Sequence, residues 1–90
     1  MERQVHIAGV VVFCRAEAAA AARARIASLP GAEVHAESPE GKLVLTLETD
    51  STRRTLDCMD AMRALPGVLD VCLVYQHAEP ASAMEEVIEP

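Results

Sequence analysis

Aromatic residues are almost absent from this 90-residue chain, which contains one Phe, one Tyr and no Trp. Proteins that bind single-stranded nucleic acid stack the bases on aromatic side chains, so this class of partner is disfavoured. Basic residues are also scarce: eight Lys and Arg stand against fourteen Asp and Glu, for a net charge of −6. An acidic chain repels nucleic acid and anionic membrane surfaces, and it suits a basic partner instead.

Cysteine is sparse and badly spaced for a metal site or a disulfide framework. Cys14, Cys58 and Cys72 lie far apart in the sequence and form no CxxC pair. This pattern favours reduced thiols in a cytosolic protein. The apolar run from Ile7 to Phe13 is shorter than the ~20 residues that cross a membrane, and no signal-peptide cleavage site follows it. We therefore expect a cytoplasmic protein with no metal, no cofactor and no direct membrane insertion.

A repeated Leu-Pro-Gly sequence divides the chain into two similar parts. It occurs at residues 29–31 and 65–67, each time after a helix-like stretch and before a strand-like one, which predicts two βαβ halves. Ser-Pro-Glu-Gly at 38–41 predicts a tight turn between the second and third strands. The predicted strands are 5–13, 32–37, 42–48 and 68–75, and the predicted helices run from about 15 to 28 and from the possible capping residues 49–52 to about 64.

The element order βαββαβ predicts an α+β, ferredoxin-like fold. Right-handed crossovers give a four-stranded antiparallel sheet, in strand order 4-1-3-2, with two helices on one face. We expect this domain to occupy residues 1–78. Residues 79–90 contain four acids, no base and no periodic pattern, which is typical of an acidic flexible tail.

Hydrophobic periodicity assigns a buried face to each element. Both faces of the first strand are apolar, so its inward face is assigned by filling the core around Phe13. The predicted core residues are Ile7, Val11 and Phe13 of strand one, Ala19, Ala22, Ile26 and Leu29 of helix one, Leu43, Leu45 and Leu47 of strand three, and Leu56, Met59, Met62 and Leu65 of helix two.

The sheet face without helices is the candidate functional surface. Its central strands then present aliphatic side chains where Thr, Lys, Glu or Ser are expected, and acidic residues surround them. Such a surface fits a ligand with an apolar helix and a basic end, although a dimer interface or no role at all fits the same pattern. The predicted peptide-binding residues are Ala8, Val10, Val12, Val44, Thr46, Glu48, Cys72 and Val74.

Residue patterns for catalysis and metal binding are missing. His6, His35 and His77 are scattered, without the spacing of metal ligands. Cys14 lies where ferredoxin-like metal carriers have a CxxC pair, and Arg15 lies where acylphosphatases have a Gly-rich phosphate loop, but neither pattern is complete. A helix start can lower the pKa of a thiol such as Cys14, yet no base stands beside it. We therefore expect no enzyme activity.

Four stretches stand out by their order and spacing: HIAGVVV at 6–12, LPGAEV at 29–34, GKLV at 41–44 and GVLDVCLVY at 67–75. Through them the chain, over about residues 5–79, resembles the NapD family of small cytoplasmic assembly chaperones for the periplasmic nitrate reductase NapA. The resemblance implies a ferredoxin-like fold and binding of the NapA twin-arginine signal peptide. It also implies that binding delays export until the molybdenum cofactor and the iron–sulfur cluster are inserted, and it carries over no catalytic residue.

Two alternatives from other classes remain open. One is an ACT-like regulatory dimer that senses a small ligand, which needs a Gly-rich loop where this chain has Phe13-Cys14-Arg15. The other is copper or zinc carriage through Cys14. For a chaperone we expect a monomer or a weak dimer, and we expect Val10→Asp to abolish peptide binding while the domain stays folded.

Overall fold

The structure is a computed structural model that describes residues 4–80. Its elements are β1 (Gln4–Cys14), a short 3₁₀ helix (Ala16–Ala18) that leads into α1 (Ala19–Ala27), β2 (Ala32–Glu37), β3 (Lys42–Thr49), α2 (Thr52–Arg63) and β4 (Val68–Pro80). The strands pair antiparallel in one sheet of order β2-β3-β1-β4. This is the predicted ferredoxin-like order, read from the opposite edge.

Both Leu-Pro-Gly sequences form the same turn from helix to strand. Gly31 and Gly67 each have a φ of 82°, and in each turn the residue after Gly donates its amide to the Leu carbonyl oxygen at 3.2 Å. Proline followed by a glycine with positive φ is the signature of a type II turn. The repeat seen in the sequence therefore builds two equivalent connections.

The other predicted turn and helix cap are also present. Gly41 donates its amide to the carbonyl of Ser38 at 3.0 Å, which closes the hairpin between β2 and β3. Ser51 precedes α2, and its hydroxyl oxygen accepts a hydrogen bond from the Arg54 amide at 3.1 Å. Of the four possible capping residues, Ser51 is thus the N-cap of α2.

The core lies between the helices and one face of the sheet. Even-numbered residues of β1 face it, and they are cross-strand neighbours of odd-numbered leucines in β3. Small side chains of β1 therefore pack beside large ones of β3. The buried core cluster comprises Ala8, Val10, Val12, Cys14, Ala19, Ala22, Ile26, Leu43, Leu45, Leu47, Met59, Met62 and Val71.

The predicted orientation of β1 was wrong. Phe13, expected in the core, is 39% exposed, whereas Ala8, Val10 and Val12, expected on the open face, are at most 1% exposed. Because both alternating sets are apolar, hydrophobicity does not distinguish the two faces of β1. The strand register places the even-numbered set beside the buried leucines of β3. The residues assigned to the wrong face of β1 are Ile7, Ala8, Val10, Val11, Val12 and Phe13.

The buried stripe of α2 also differs from the prediction at one position. Leu56 is 50% exposed, and Thr55 is buried in its place at 1% exposure. The Thr55 hydroxyl lies 2.8 Å from the Thr49 hydroxyl and donates to the carbonyl of Ser51 at 3.2 Å. A buried hydroxyl with such partners carries little desolvation penalty, which is why a polar residue can occupy this position.

Strand β4 is longer than predicted, since it continues past Tyr75 to Pro80. Glu79 pairs with Val5 and Pro80 pairs with Gln4. Residues 79 and 80, which the sequence assigns to the tail, therefore belong to the sheet. Residues 81–90 of the predicted tail lie outside the described residues.

A β-bulge in β4 changes which face its second half presents. Val10 pairs with Leu73, but the preceding residue, Gly9, pairs with Tyr75. Val74 is the extra residue between them. The bulge brings Tyr75 to the face away from the helices, whereas simple alternation places it on the face of Leu73.

Candidate functional site

The face of the sheet away from the helices, called the open face below, is built from alternate residues of the four strands. Antiparallel pairing aligns its residues in rows across the sheet. From one end of the sheet to the other, the rows are Glu48, Ile7 and His77; then Glu33, Thr46, Gly9 and Tyr75; then Ala36, Val44, Val11 and Cys72; and then Lys42, Phe13 and Asp70.

The centre of the open face is apolar and partly exposed. Phe13 is 39%, Val44 36% and Tyr75 48% exposed, and Ile7 and Val11 are half-buried beside them. Lys and acidic residues stand at the ends of three of the four rows: Glu48, Glu33, and Lys42 with Asp70. An apolar patch with a polar rim is typical of an interaction surface, so the open face is the candidate site even though different β1 residues form it.

Tyr75 holds a fixed place on this face. Its ring lies over Gly9, where a Cβ would overlap the ring atoms. The ring also stacks on His77, with 6.4 Å between ring centroids and 19° between ring planes. His77 Nε2 in turn lies 3.8 Å from a carboxylate oxygen of Glu79. These contacts position an aromatic platform in the second row.

The β2 side of the open face is polar. His35 is the bulged residue of β2, since Val34 pairs with Leu45 and Ala36 with Val44. The His35 Nε2 atom lies 2.8 Å from the hydroxyl of Thr46. The Thr46 hydroxyl is therefore already engaged within the protein.

The predicted site residues divide into three groups. Ala8, Val10 and Val12 lie in the core and contribute no side-chain surface to the open face. Val74 lies at the bulge, without a cross-strand partner, and is 63% exposed. The four residues that lie on the open face as predicted are Val44, Thr46, Glu48 and Cys72.

Sequence reasoning missed Ile7, Val11, Phe13 and Tyr75. The first three lie on the same face as Gly9. The sequence signal for this arrangement is that Ala8 and the other even-numbered residues of β1 are smaller than the leucines of β3. Large and small side chains alternate across a packed core, so the even-numbered set fits the core and the odd-numbered set the open face. Nothing in the sequence marks the bulge that turns Tyr75 to the open face.

Comparison with known proteins supplies the family. Residues 5–80 match the sequence model of a family described as "NapD protein". The chain belongs to the NapD family. It is 35% identical over 83 residues to "Chaperone NapD" of Paracoccus pantotrophus, which covers 92% of this chain and 73% of that protein. It is 26% identical over 80 residues to "Chaperone NapD" of Escherichia coli K12, which covers 88% of this chain and 92% of that protein.

The fold of the NapD family is confirmed by a solved structure. The solution structure described as the E. coli Tat proofreading chaperone protein NapD superposes with a TM-score of 0.77 at 26% identity, over 83% of this chain and 80% of that one. NapD proteins are chaperones and not enzymes, which confirms the predicted class. The expected resemblance, fold and chaperone class therefore stand.

Two cysteine thiols of this NapD-family chain, Cys14 and Cys72, have a pKa above the ordinary value. Burial, and then the negative charge of Glu37, raise the pKa of Cys14, the opposite of the lowered pKa considered from the sequence. Cys72 is exposed, and its pKa is also raised. Desolvation of the sulfur is the largest cause, and the hydrogen bond that the thiol donates to Asp70 Oδ2 at 3.5 Å is the second. Neutral thiols are weak ligands and weak nucleophiles.

Within residues 4–80, no three His, Cys, Asp or Glu side chains lie close enough together to hold a metal ion. Nor is any helix there long and apolar enough to cross a membrane.

A cleft of about 450 Å³ lies between α2, the turn at residues 29–31 and the end of β3, and it shares Glu48 with the edge of the open face. Leu29 and Ala61 give it apolar walls, and Arg54, Asp57 and Cys58 of α2 line it as well. Its wall charges are of both signs. Asp57 and Cys58, which lie on α2 and not on the sheet, supply reference positions for mapping experiments.

Proposed function

We propose that this NapD-family protein binds the twin-arginine signal peptide of the catalytic subunit of the periplasmic nitrate reductase on its open face. Bound peptide is not available to the export machinery, so occupancy delays export until cofactor insertion is complete. The observation that carries the proposal is a partly exposed apolar sheet centre bordered by the carboxylates of Glu33, Glu48 and Asp70, on a chain of a chaperone family.

The dimensions of the open face suit a helical leader. A twin-arginine signal peptide combines a basic start with an apolar middle. An apolar helix of about 15 residues is ~22 Å long, and the six residue steps from Ile7 to Phe13 along β1 span ~20 Å. The helix therefore covers the apolar rows from one end to the other.

The affinity for the leader can be estimated from the apolar area that the complex buries. Burial of about 400 Å² of apolar surface contributes roughly 10 kcal/mol at ~25 cal/mol/Å². Loss of rigid-body freedom and ordering of the peptide offset much of this. The arginines add an attraction of order 1–4 kcal/mol per close carboxylate pair before desolvation. With that contribution we expect a dissociation constant between micromolar and nanomolar, tight enough to retain a precursor and weak enough to release it.

The proposed binding residues combine predicted and newly found positions. Ala8, Val10 and Val12 are replaced by odd-numbered residues of β1. Because the leader must be held before export, we propose that the protein acts in the cytoplasm as a monomer or weak dimer. The proposed set is Ile7, Val11, Phe13, Val44, Thr46, Glu48, Cys72, Val74 and Tyr75.

Calorimetric titration of the full chain with the synthetic nitrate reductase leader tests this function. We expect binding that weakens when both arginines of the peptide are replaced by glutamine, with a larger difference at low salt. Chemical-shift mapping should move amides of Val11, Val44 and Tyr75 and leave the cleft residues Asp57 and Cys58 in place. Absence of binding, or shifts confined to the cleft, would overturn the proposal.

Light scattering tests the alternative class. A tight dimer that the leader peptide neither binds nor dissociates would favour an ACT-like regulatory module. A monomer that gains the mass of one peptide favours the chaperone function. The two functions therefore differ in a measurement that needs no variant.

A further inference from the structure

We infer that the leader lies on the open face in one direction only, with its arginine pair at the Ile7 end of β1 and its apolar end at the Phe13 end. This inference rests on the proposed function. It adds the direction in which the peptide is bound. That direction depends on how charge is distributed along the sheet and not on the apolar patch itself.

The two ends of the open face carry different charge. At the Ile7 end, Glu48 lies in the first row and Glu33 in the second, and Glu79 follows His77 on β4. No Lys or Arg occurs in these two rows of the described sheet. At the other end, the row of Phe13 holds one base and one acid, Lys42 and Asp70.

The carboxylates of the two ends also differ in what they already bind. Among the ion pairs of residues 4–80, none involves Glu33 or Glu48, so both charges are available to a ligand. Asp70 is engaged on both oxygens, since Oδ1 accepts from the Val71 amide at 2.9 Å and Oδ2 accepts from the Cys72 thiol at 3.5 Å. Because Lys42 shares the row of Asp70 and no Lys or Arg shares the rows of Glu33 and Glu48, the attraction for arginine is concentrated at the Glu48 end.

The dipole of a bound helix favours the same direction. A helix carries about +0.5 charge at its amino end and −0.5 at its carboxyl end. With the arginine pair near Glu48, the positive end of the dipole meets the carboxylates, and the negative end lies near Lys42. The reversed helix places the arginines beside Lys42 and its carboxyl end beside Glu48, so both contributions become repulsive.

The apolar rows fit this direction as well. In this direction the apolar residues that follow the arginine pair in the leader contact first Val11 and Val44 and then Phe13. The first row offers only Ile7 between Glu48 and His77. The basic start of the leader thus meets the most polar row, and its apolar part meets the least polar ones.

Nitroxide labels on the peptide test the direction. The probe is a synthetic peptide with two adjacent arginines followed by about 15 helix-forming apolar residues, labelled in one preparation at its amino end and in another at its carboxyl end. With the full-length protein, we expect the amino-terminal label to broaden amide signals of Glu48 and His77. The carboxyl-terminal label should broaden those of Lys42 and Asp70.

The outcomes separate this inference from the function on which it rests. The reversed pattern, or equal broadening by both labels at both ends, overturns the inference but leaves peptide binding to the open face intact. Binding without broadening anywhere on the open face, or no binding, overturns both. The pattern described above supports both.

A pair of charge reversals gives an independent readout. Because an exposed ion pair contributes little, we expect Glu48→Lys to weaken binding of the same peptide by up to about fivefold. Lys42→Glu, the matched reversal at the other end, should weaken binding by less, because only the half charge at the carboxyl end of the bound helix lies beside it. A larger loss for Lys42→Glu would overturn the direction, and circular dichroism checks that both variants stay folded.

Discussion

The ring of Tyr75 lies on the backbone of Gly9, in the space that any larger residue at position 9 would fill. A Cβ on Gly9 would overlap Cε1 of the ring and stand 2.6 Å from Cδ1. Glycine is therefore needed here for close approach of a side chain, and the bulge at Val74 is what turns Tyr75 to this side of the sheet. The two features together create the aromatic platform of the open face.

Gly9→Ala should displace the Tyr75 ring and destabilise the domain by about 1–2 kcal/mol, as is usual for overpacking. The ring is 48% exposed, so it can swing outward, and the fold should survive. Urea unfolding measures the loss, and calorimetry should show weaker leader binding.

A double-mutant cycle checks that the cause is this contact. In a Tyr75→Ala background the methyl group meets empty space, so Gly9→Ala should cost much less there. If Gly9→Ala lowers the free energy of unfolding equally in both backgrounds, the loss is explained by strand propensity and not by the contact with the ring.

Tyr75 also provides a spectroscopic signal of binding. It is the only tyrosine of the chain, which has no tryptophan, so intrinsic emission excited in the near ultraviolet comes from the open face alone. We expect the emission to change on addition of a leader peptide without Tyr or Trp, with the same midpoint as calorimetry. Binding with an unchanged spectrum would place the peptide elsewhere.

Aspartate substitutions at two neighbouring positions of β1 should distinguish an effect on peptide binding from an effect on folding. Val11 lies on the open face, and Val10 is 1% exposed in the core. Val11→Asp should abolish leader binding with a stability loss of about 1 kcal/mol. Val10→Asp should unfold the domain, because a buried unpaired carboxylate costs several kcal/mol against a total stability of about 5–15 kcal/mol.

Circular dichroism with calorimetry distinguishes the two variants. A folded Val10→Asp protein without peptide affinity is the result that the sequence alone predicts, and it would contradict the orientation of β1 seen here. Val11→Thr, which keeps the size and the β-branch, serves as the uncharged control.

The fold was predictable because its signals are local and mutually consistent. The two Leu-Pro-Gly turns, the Ser38–Gly41 turn and the alternation of Leu43, Leu45 and Leu47 each fix one part of the topology. An apolar open face was predictable in the same way, because the chain has more apolar strand positions than one core needs.

The residues that form the site were less predictable, because they depend on pairing between distant strands. β1 is apolar on both faces, so hydrophobicity does not decide between Val10 and Val11. The buried set is the one whose cross-strand partners are the leucines of β3. The position of Tyr75 depends on a bulge for which no short sequence signal exists. A shift of one residue in a strand exchanges its two faces, which is why three predicted contacts lie in the core.

Ser51→Ala should lower stability without changing leader affinity. The Ser51 hydroxyl accepts from the Arg54 amide at 3.1 Å as the N-cap of α2, and loss of such a cap costs about 1 kcal/mol. In a domain of this size that is a fall of about 4–8 °C in the melting temperature. Ser51→Asp should keep the cap and most of the stability, and a parallel loss of affinity would contradict a site on the opposite face.

The exposed thiol on the open face should report both its hydrogen bond and the bound leader. Cys72 donates to Asp70, and desolvation and that bond raise its pKa, so the reactive thiolate forms at higher pH than in an ordinary cysteine. Asp70→Asn removes the charge and the strong acceptor, which lowers the pKa. Alkylation of Cys72 by iodoacetamide should therefore be faster in this variant at pH 8, and its pH profile should shift downward.

The leader should protect Cys72 from alkylation and leave Cys58 reactive, as measured by mass spectrometry of the alkylated fragments. Cys58 is the matched control because it is partly buried and lines the cleft beside α2, away from the open face. Equal protection of both thiols would indicate a general tightening of the domain, and protection of Cys58 alone would move the site to the cleft. Only selective protection of Cys72 agrees with a peptide lying across Val11 and its row.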